Sequence, residues 1–172
     1  MKTKITREFI VYQLKCLKDM ICWGVVAGKG TGSHIVLDFG DKIARRHVLS
    51  NPHLSCDQNM FEGSYSLFIK CAWRLQNQRE VLCSSTSSNK KGGRMQMGLT
   101  ELVGSNVIGI YICPQTYDVK LTFSNNLRLY IFCDMANSVD NDDNYSLFTP
   151  SDIYTIPSGL RHLKHESRFP KV

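Results

Sequence analysis

Ser64-Tyr65-Ser66-Leu67-Phe68-Ile69-Lys70-Cys71-Ala72-Trp73-Arg74-Leu75-Gln76 is the most regular stretch of the chain. Tyr65, Leu67, Ile69, Cys71, Trp73 and Leu75 share one parity, while Ser66, Lys70, Arg74 and Gln76 hold the other. Successive side chains leave a β-strand on opposite sides, so this alternation is that of a strand with one face in a core. The spacing predicts a single strand over residues 64–76 with Trp73 inside. Val81, Leu82 and Cys83 follow as its hairpin partner.

The same period recurs along the chain. Ile35, Leu37 and Phe39 alternate, as do Val119, Leu121 and Phe123. Ser124-Asn125-Asn126 is a turn signal, and Leu127, Leu129, Ile131 and Cys133 alternate after it, which is a hairpin pattern. Residues 107–113 form a strand that Pro114 stops, and residues 145–148 and 153–156 are shorter ones. Two segments suit helices. In residues 5–20, Phe9, Tyr12, Cys16 and Met20 fall three or four apart, the spacing of one helix face. A second short helix is expected over 95–103.

The chain also resembles itself. Leu14 and Leu17 precede Ile35-Val36-Leu37-Asp38-Phe39 and then Tyr65-Ser66-Leu67-Phe68. Leu99 and Leu102 precede Val119-Lys120-Leu121-Thr122-Phe123 and then Tyr145-Ser146-Leu147-Phe148. Order and spacing agree in both halves, as in a duplicated unit too small to bury its own sheet. The fold class expected is α+β, mostly antiparallel, with two pseudo-repeated sheet units that each carry a short helix. The halves would be 1–86 and 94–157, divided by the polar stretch 84–93 and sharing one compact domain. Residues 158–172 read as a basic, poorly ordered tail.

Leu99-Thr100-Glu101-Leu102-Val103-Gly104, the strand at 119–123 and the strand at 145–148 together resemble a group of small bacterial proteins. Those proteins open on Leu-x-x-Leu-x-Gly, and some are similar to immunity proteins of polymorphic toxin systems. The first half departs from that pattern, since Leu17 is followed by Lys18 and Asp19 with no glycine. The resemblance implies a non-enzymatic protein-binding role, as a neutraliser or an accessory subunit in a bacterial conflict or defence system.

Composition narrows the chemistry. The 172 residues are 42% hydrophobic and 21% charged, ordinary for a globular protein. No run reaches the roughly 18 apolar residues of a membrane span. Charges interrupt the N-terminal stretch where a secretory signal needs an apolar core, so a cytoplasmic protein is expected. The seven cysteines lack Cys-x-x-Cys spacing and lie largely in apolar runs, as packing residues do.

Gly28-Lys29-Gly30-Thr31-Gly32 lacks the order of a phosphate-binding loop and suits a hairpin connection. His162 and His165 have no third ligand after them, and no metal or cofactor is expected. Arg45-Arg46-His47 suits either phosphate contact or the charged side of an edge strand. Ser33, His34 and Asp38 are the nearest approach to a catalytic trio. Residues 34 and 38 lie about 13 Å apart along a strand at roughly 3.3 Å per residue, which is too far for a relay. Enzyme chemistry is disfavoured, and a hydrolase or nuclease stays open only as a site that assembles in the fold.

Two partner classes remain. Asp134, Asp140, Asp142 and Asp143 form an acidic loop that could steer a basic protein, such as a toxin or defence-complex subunit. The net charge of +6 and two basic clusters, Lys90, Lys91 and Arg94 with Arg161, Lys164 and Arg168, suit nucleic acid. Phe68, Phe148, Tyr130 and Phe132 lie on the outward parity of their strands. Left open they would form a binding strip; in a two-layer fold the helices are expected to cover them.

Overall fold

The computed structural model describes residues 7–136, 142–159 and 163–169. Among these lie α1 (Arg7–Lys15), β1 (Cys22–Val26), β2 (Ile35–Ala44), α2 (Cys56–Met60), β3 (Phe61–Ile69), β4 (Ala72–Gln76) and β5 (Val81–Ser84). The second half supplies α3 (Arg94–Thr100), β6 (Val107–Ile112), β7 (Val119–Phe123), β8 (Arg128–Phe132), β9 (Asp143–Phe148), β10 (Asp152–Pro157) and β11 (Lys164–Ser167). The fold is mostly antiparallel β with a few short helices, as expected. Its strands form a six-stranded sheet, β1-β2-β3-β9-β10-β11, and a five-stranded sheet, β5-β4-β8-β7-β6.

The deciding stretch is two strands rather than one. β3 pairs with β2 and β9, whereas β4 pairs with β5 and β8 in the other sheet. At the break, the amides of Lys70 and Cys71 both donate to the Asn144 carbonyl, at 2.9 and 3.0 Å. The alternation survives the corner because Leu67 and Ile69, then Trp73 and Leu75, all point into the space between the sheets. A strand that changes sheets at a bend keeps its inward parity, so the pattern alone does not reveal the change.

The expected assignment of one sheet to each half is corrected by the same fact. Each half gives three strands to one sheet and then crosses to the other. When the strands of each half are exchanged for their counterparts, β1-β2-β3-β9-β10 becomes β6-β7-β8-β4-β5, the order of the five-stranded sheet. Backbone bonds follow the same exchange. Asp19 donates to Val107 (2.7 Å) and Gly104 to Cys22 (2.8 Å); Val107 donates to Met20 (3.0 Å) and Cys22 to Ser105 (2.9 Å). Asp19 and Gly104 both hold positive φ, 67° and 86°. The two matching tetrapeptides, however, do not occupy counterpart strands. They pair with each other across β3 and β9, Leu67 facing Leu147 and Phe68 facing Ser146.

One hydrophobic core fills the space between the sheets, including Leu37, Phe39, Leu67 and Leu147 from one and Trp73, Leu75, Leu121 and Leu129 from the other. α1 buries Ile10 and Leu14, with Leu17 just beyond its end, and not the face of Phe9 and Tyr12, which are 39% and 65% exposed. α2 starts on a capping box, with Gln58 N–H donating to Ser55 Oγ (3.2 Å) and Ser55 N–H to Gln58 Oε1 (3.0 Å). The expected disordered tail is instead ordered over 164–167, where β11 pairs along β10.

Asp38 faces outward on β2 yet is buried, and its Oδ1 accepts from Ser66 Oγ at 2.5 Å and from the Gly63 amide at 3.2 Å. Burial raises its carboxyl above the usual range, against the lowering effect of Ser66, Gly63 and Arg45. A raised folded-state value contributes stability that is complete below the unfolded value of about 3.9 and is lost as pH rises through the folded one. Asp38→Asn is therefore expected to be at least as stable as wild type at neutral pH. Urea midpoints measured against pH should show that advantage shrinking under acid conditions.

Candidate nucleic-acid interface

The outer face of the five-stranded sheet follows from its inward one. Val119, Leu121, Leu129, Ile131, Trp73 and Leu75 are buried, so the intervening residues must point away from the core. Pairing register sets Tyr111, Lys120, Tyr130, Arg74 and Ser84 in one row across all five strands. Thr122, Arg128 and Gln76 form the neighbouring row, and Phe132 stands opposite Ala72.

Cations and rings interleave on this face. Lys120 Nζ lies 5.7 Å from the Tyr111 ring centroid. The Arg74 guanidinium lies 5.3 Å from Tyr130 and 5.6 Å from Phe132, whose two rings are nearly parallel at 7°. Tyr111 is 57% exposed and Phe132 39%. Such rings give flat stacking surfaces, and the guanidinium adds a cation that also stacks. The expectation that helices cover Tyr130 and Phe132 is corrected: they meet Arg74 on the outer face, where Phe132 is exposed and Tyr130 and Arg74 are half-buried.

Charge separates the two sheets. None of β4, β5, β6, β7 and β8 contains an aspartate or glutamate. The six-stranded sheet carries Asp38, Asp41, Glu62, Asp143, Asp152 and Glu166. Lys120, Arg128 and Arg74 therefore stand on strands that carry no carboxylate, which favours a polyanion there; the nearest one in sequence, Asp118 just ahead of β7, accepts from the Cys133 amide at 2.7 Å.

The residues singled out from sequence fall elsewhere. Asp143 is committed to Lys164 (2.7 Å) and Lys70 (3.2 Å). Burial works to raise its carboxyl, but the two ammonium groups outweigh burial and hold it below its ordinary value. Asp134 and Asp142 are exposed, with an Asp134 oxygen accepting from the Ala136 amide. Asp140 and Arg161 lie outside the described residues, as does His162.

Lys90 and Lys91 are exposed, whereas Arg94 donates to the carbonyls of Leu82 (2.7 Å) and Val81 (2.6 Å). Lys164 serves Asp143, and Arg168 is buried among carbonyls with a side chain 4% exposed. The two basic clusters thus do not make one surface. Arg45 is held by Glu62 (3.3 Å) and the Gln58 carbonyl, and Arg46 lies over Phe169.

The other candidates are also accounted for. The Ser33 carbonyl accepts from the Trp73 indole at 2.7 Å, His34 meets Phe68 edge-on, and Asp38 binds Ser66, so the three do not converge. His165 bonds Asp152 at 2.7 Å and stacks on Tyr154. Burial pushes the thiols of Cys22 and Cys83 up to about 12 and about 11, as suits packing residues. Among the described residues, no three His, Cys, Asp or Glu side chains are grouped to hold a metal ion, and no helix is long and apolar enough to cross a membrane. No family model matches the chain, and no curated protein or solved structure shows a significant match to it.

Sequence reading missed Tyr111, Lys120 and Arg128 as members of one surface. Their outward parity was legible. What was missing was the order of the strands, which sets β6, β7, β8 and β4 side by side.

Proposed function

We propose that the protein is a non-enzymatic cytosolic binding module, built from two copies of one unit, that holds single-stranded nucleic acid on the outer face of its five-stranded sheet. The observation that carries the binding reading is the row Tyr111–Lys120–Tyr130–Arg74 on strands without a carboxylate. Bases stack on exposed rings regardless of sequence, while cations between the rings neutralise the backbone. A duplex offers no free base faces, so the single strand is the matching form. Duplication is supported by the exchangeable strand order and the reciprocal backbone bonds of the two halves.

The test is fluorescence anisotropy with a labelled oligo-dU or oligo-dT. With Arg74, Lys120 and Arg128 as phosphate contacts, log affinity should fall with log salt at a slope of about −2, from roughly 0.7 per contact on single strands. Tyr130→Ala with Phe132→Ala should weaken binding by about 1–3 kcal/mol for each base stack lost. Absence of binding at about 50 mM salt, where such contacts are strong, would sink the reading.

Capture of a protein partner, which the resemblance to immunity proteins implies, is the competing proposal. Its acidic-loop contact is weakened by Asp143, whose carboxylate is already paired twice within the molecule. Isolation of the tagged protein with and without nuclease separates the two. A stoichiometric protein that survives nuclease would favour capture.

A further inference from the structure

A second cationic site lies away from this sheet face, where the β1–β2 connection meets the approach to α3. The glycine-bearing stretch is indeed a hairpin connection. The Gly28 amide donates to Thr31 Oγ1 at 3.1 Å, and that hydroxyl donates back to the Gly28 carbonyl at 3.0 Å. Asn89 Nδ2, from the loop between the halves, reaches over to the Gly32 carbonyl at 3.2 Å. That loop is itself tightly wound, for a Cβ at Gly93 would stand 2.6 Å from the Ser88 carbonyl oxygen. The two docked connections bring Lys29 and Lys91 to one place.

They border a cleft of about 450 Å³ lined by Ala27, Lys29, Pro52, His53, Lys91 and Gln96. Pro52 and His53 come from the excursion between β2 and α2, so three separate segments close around it. A smaller recess of about 80 Å³ shares Ala27, His53 and Gln96 and continues to Val25, Leu54 and Leu99. The lining of the larger cleft contains two ammonium groups and no carboxylate. Its volume falls in the range of sites that enclose small molecules, roughly 300–1,000 Å³. A concave wall of one charge sign focuses its field into the cavity, and lysines act on phosphate as point charges.

We infer that this cleft binds a phosphate-bearing small molecule of about mononucleotide size, with Lys29 and Lys91 on the phosphate. The inference is independent of the sheet-face reading, since it uses none of the same residues. It does not need a phosphate-cradling glycine loop. Here the glycines serve the hairpin, and a Cβ at Gly30 or Gly32 would meet nothing within 4 Å.

The experiment is calorimetric titration of the full chain with ADP, inorganic pyrophosphate and adenosine as separate probes. ADP and pyrophosphate should bind and compete, and adenosine alone should bind far more weakly. Lys29→Ala with Lys91→Ala should weaken ADP by roughly tenfold or more, the loss of at least one charge-assisted contact. Lys15→Ala with Lys18→Ala removes the same charge from exposed positions on and just beyond α1 and should leave ADP affinity unchanged.

Both altered lysines are exposed, so the melting curve of the double variant should overlay wild type. If it does not, Lys29→Gln with Lys91→Gln, which keeps most of each side chain and removes the charge, serves as the second variant, and ADP affinity unchanged in it overturns the inference. ADP binding that is absent at millimolar concentration, or equal in wild type and the lysine variant, also overturns it. So does displacement of ADP by an oligonucleotide whose own binding needs Lys29 and Lys91, because the phosphate would then belong to a nucleic-acid backbone. Loss of oligonucleotide binding in Arg74→Ala is scored separately, so either site can fail alone.

Discussion

Arg168→Ala is expected to destabilise the protein by about 3 kcal/mol, the lower end of the cost of deleting one partner of a buried ion pair, because Glu62 is partly exposed and keeps Arg45. The side chain is only 4% exposed, and its carboxylate partner is Glu62 at 3.2 Å. Its Nη1 donates to the carbonyls of Ser64 and Thr149, and its Nη2 to that of Gly63, each at 2.9 Å. One guanidinium thus ties β3 to the β9–β10 turn, and its own amide donates to the Ser151 carbonyl at 2.9 Å.

Removing the side chain would take a charged donor from three carbonyls as well as leave Glu62 with Arg45 alone. Arg168→Lys should recover only part of the loss, because an ammonium cannot fork to several acceptors in one plane. Glu62→Gln should reduce the cost of Arg168→Ala, since the Glu62–Arg168 ion pair is then already gone and only the carbonyl contacts are left to lose. Urea midpoints of wild type, the three single variants and the Glu62→Gln/Arg168→Ala double variant decide this. A change within about 0.5 kcal/mol for Arg168→Ala, the range of ordinary surface substitutions, would show that the end of the chain does not hold the sheet.

That role was hidden in the sequence, where Arg168 is one of several basic residues near the end of the chain. Local composition there signals disorder, and nothing local reveals that Lys164–Ser167 finds an edge to pair with. Inward parity, by contrast, was legible for every long strand, because burial of one face imposes it directly. The strand at 64–76 shows the boundary between the two cases. Its alternation correctly named Leu67, Ile69, Trp73 and Leu75 as core, yet gave no sign that the chain changes sheets at Lys70 and Cys71. Sheet membership depends on partners far away in sequence, here the Asn144 carbonyl that takes both amides.

α1 failed for a related reason. Phe9-Tyr12-Cys16 and Ile10-Leu14-Leu17 both have helical spacing, and only the neighbouring strands decide which face is covered. The sheet-face site divides in the same way. Arg74 and Tyr130 were readable as outward residues, and their adjacency was not.

Trp73→Ala should have a comparably large effect, about 3–5 kcal/mol, as for other buried tryptophans truncated to alanine. The indole is 1% exposed, and its N–H donates to the Ser33 carbonyl at 2.7 Å. Its loss removes apolar contact just past the corner and leaves the carbonyl ahead of β2 unpaired. Trp73→Phe separates these terms: much of the ring volume stays, and an unpaired Ser33 carbonyl costs about 1–3 kcal/mol.

The counterpart position gives a second measurement of the same device. Tyr145 is also 1% exposed, stands just past the other crossing, and its hydroxyl donates to the Tyr117 carbonyl at 3.2 Å. Tyr117 precedes β7 as Ser33 precedes β2. Tyr145→Phe removes only that bond and should cost about 1 kcal/mol by the typical worth of a single hydrogen bond. If both substitutions destabilise as stated, each half is secured by an aromatic donor to the carbonyl leading into its own central strand. A silent Tyr145→Phe beside a costly Trp73→Phe would make the resemblance one of geometry alone, with the first half holding the corner unaided.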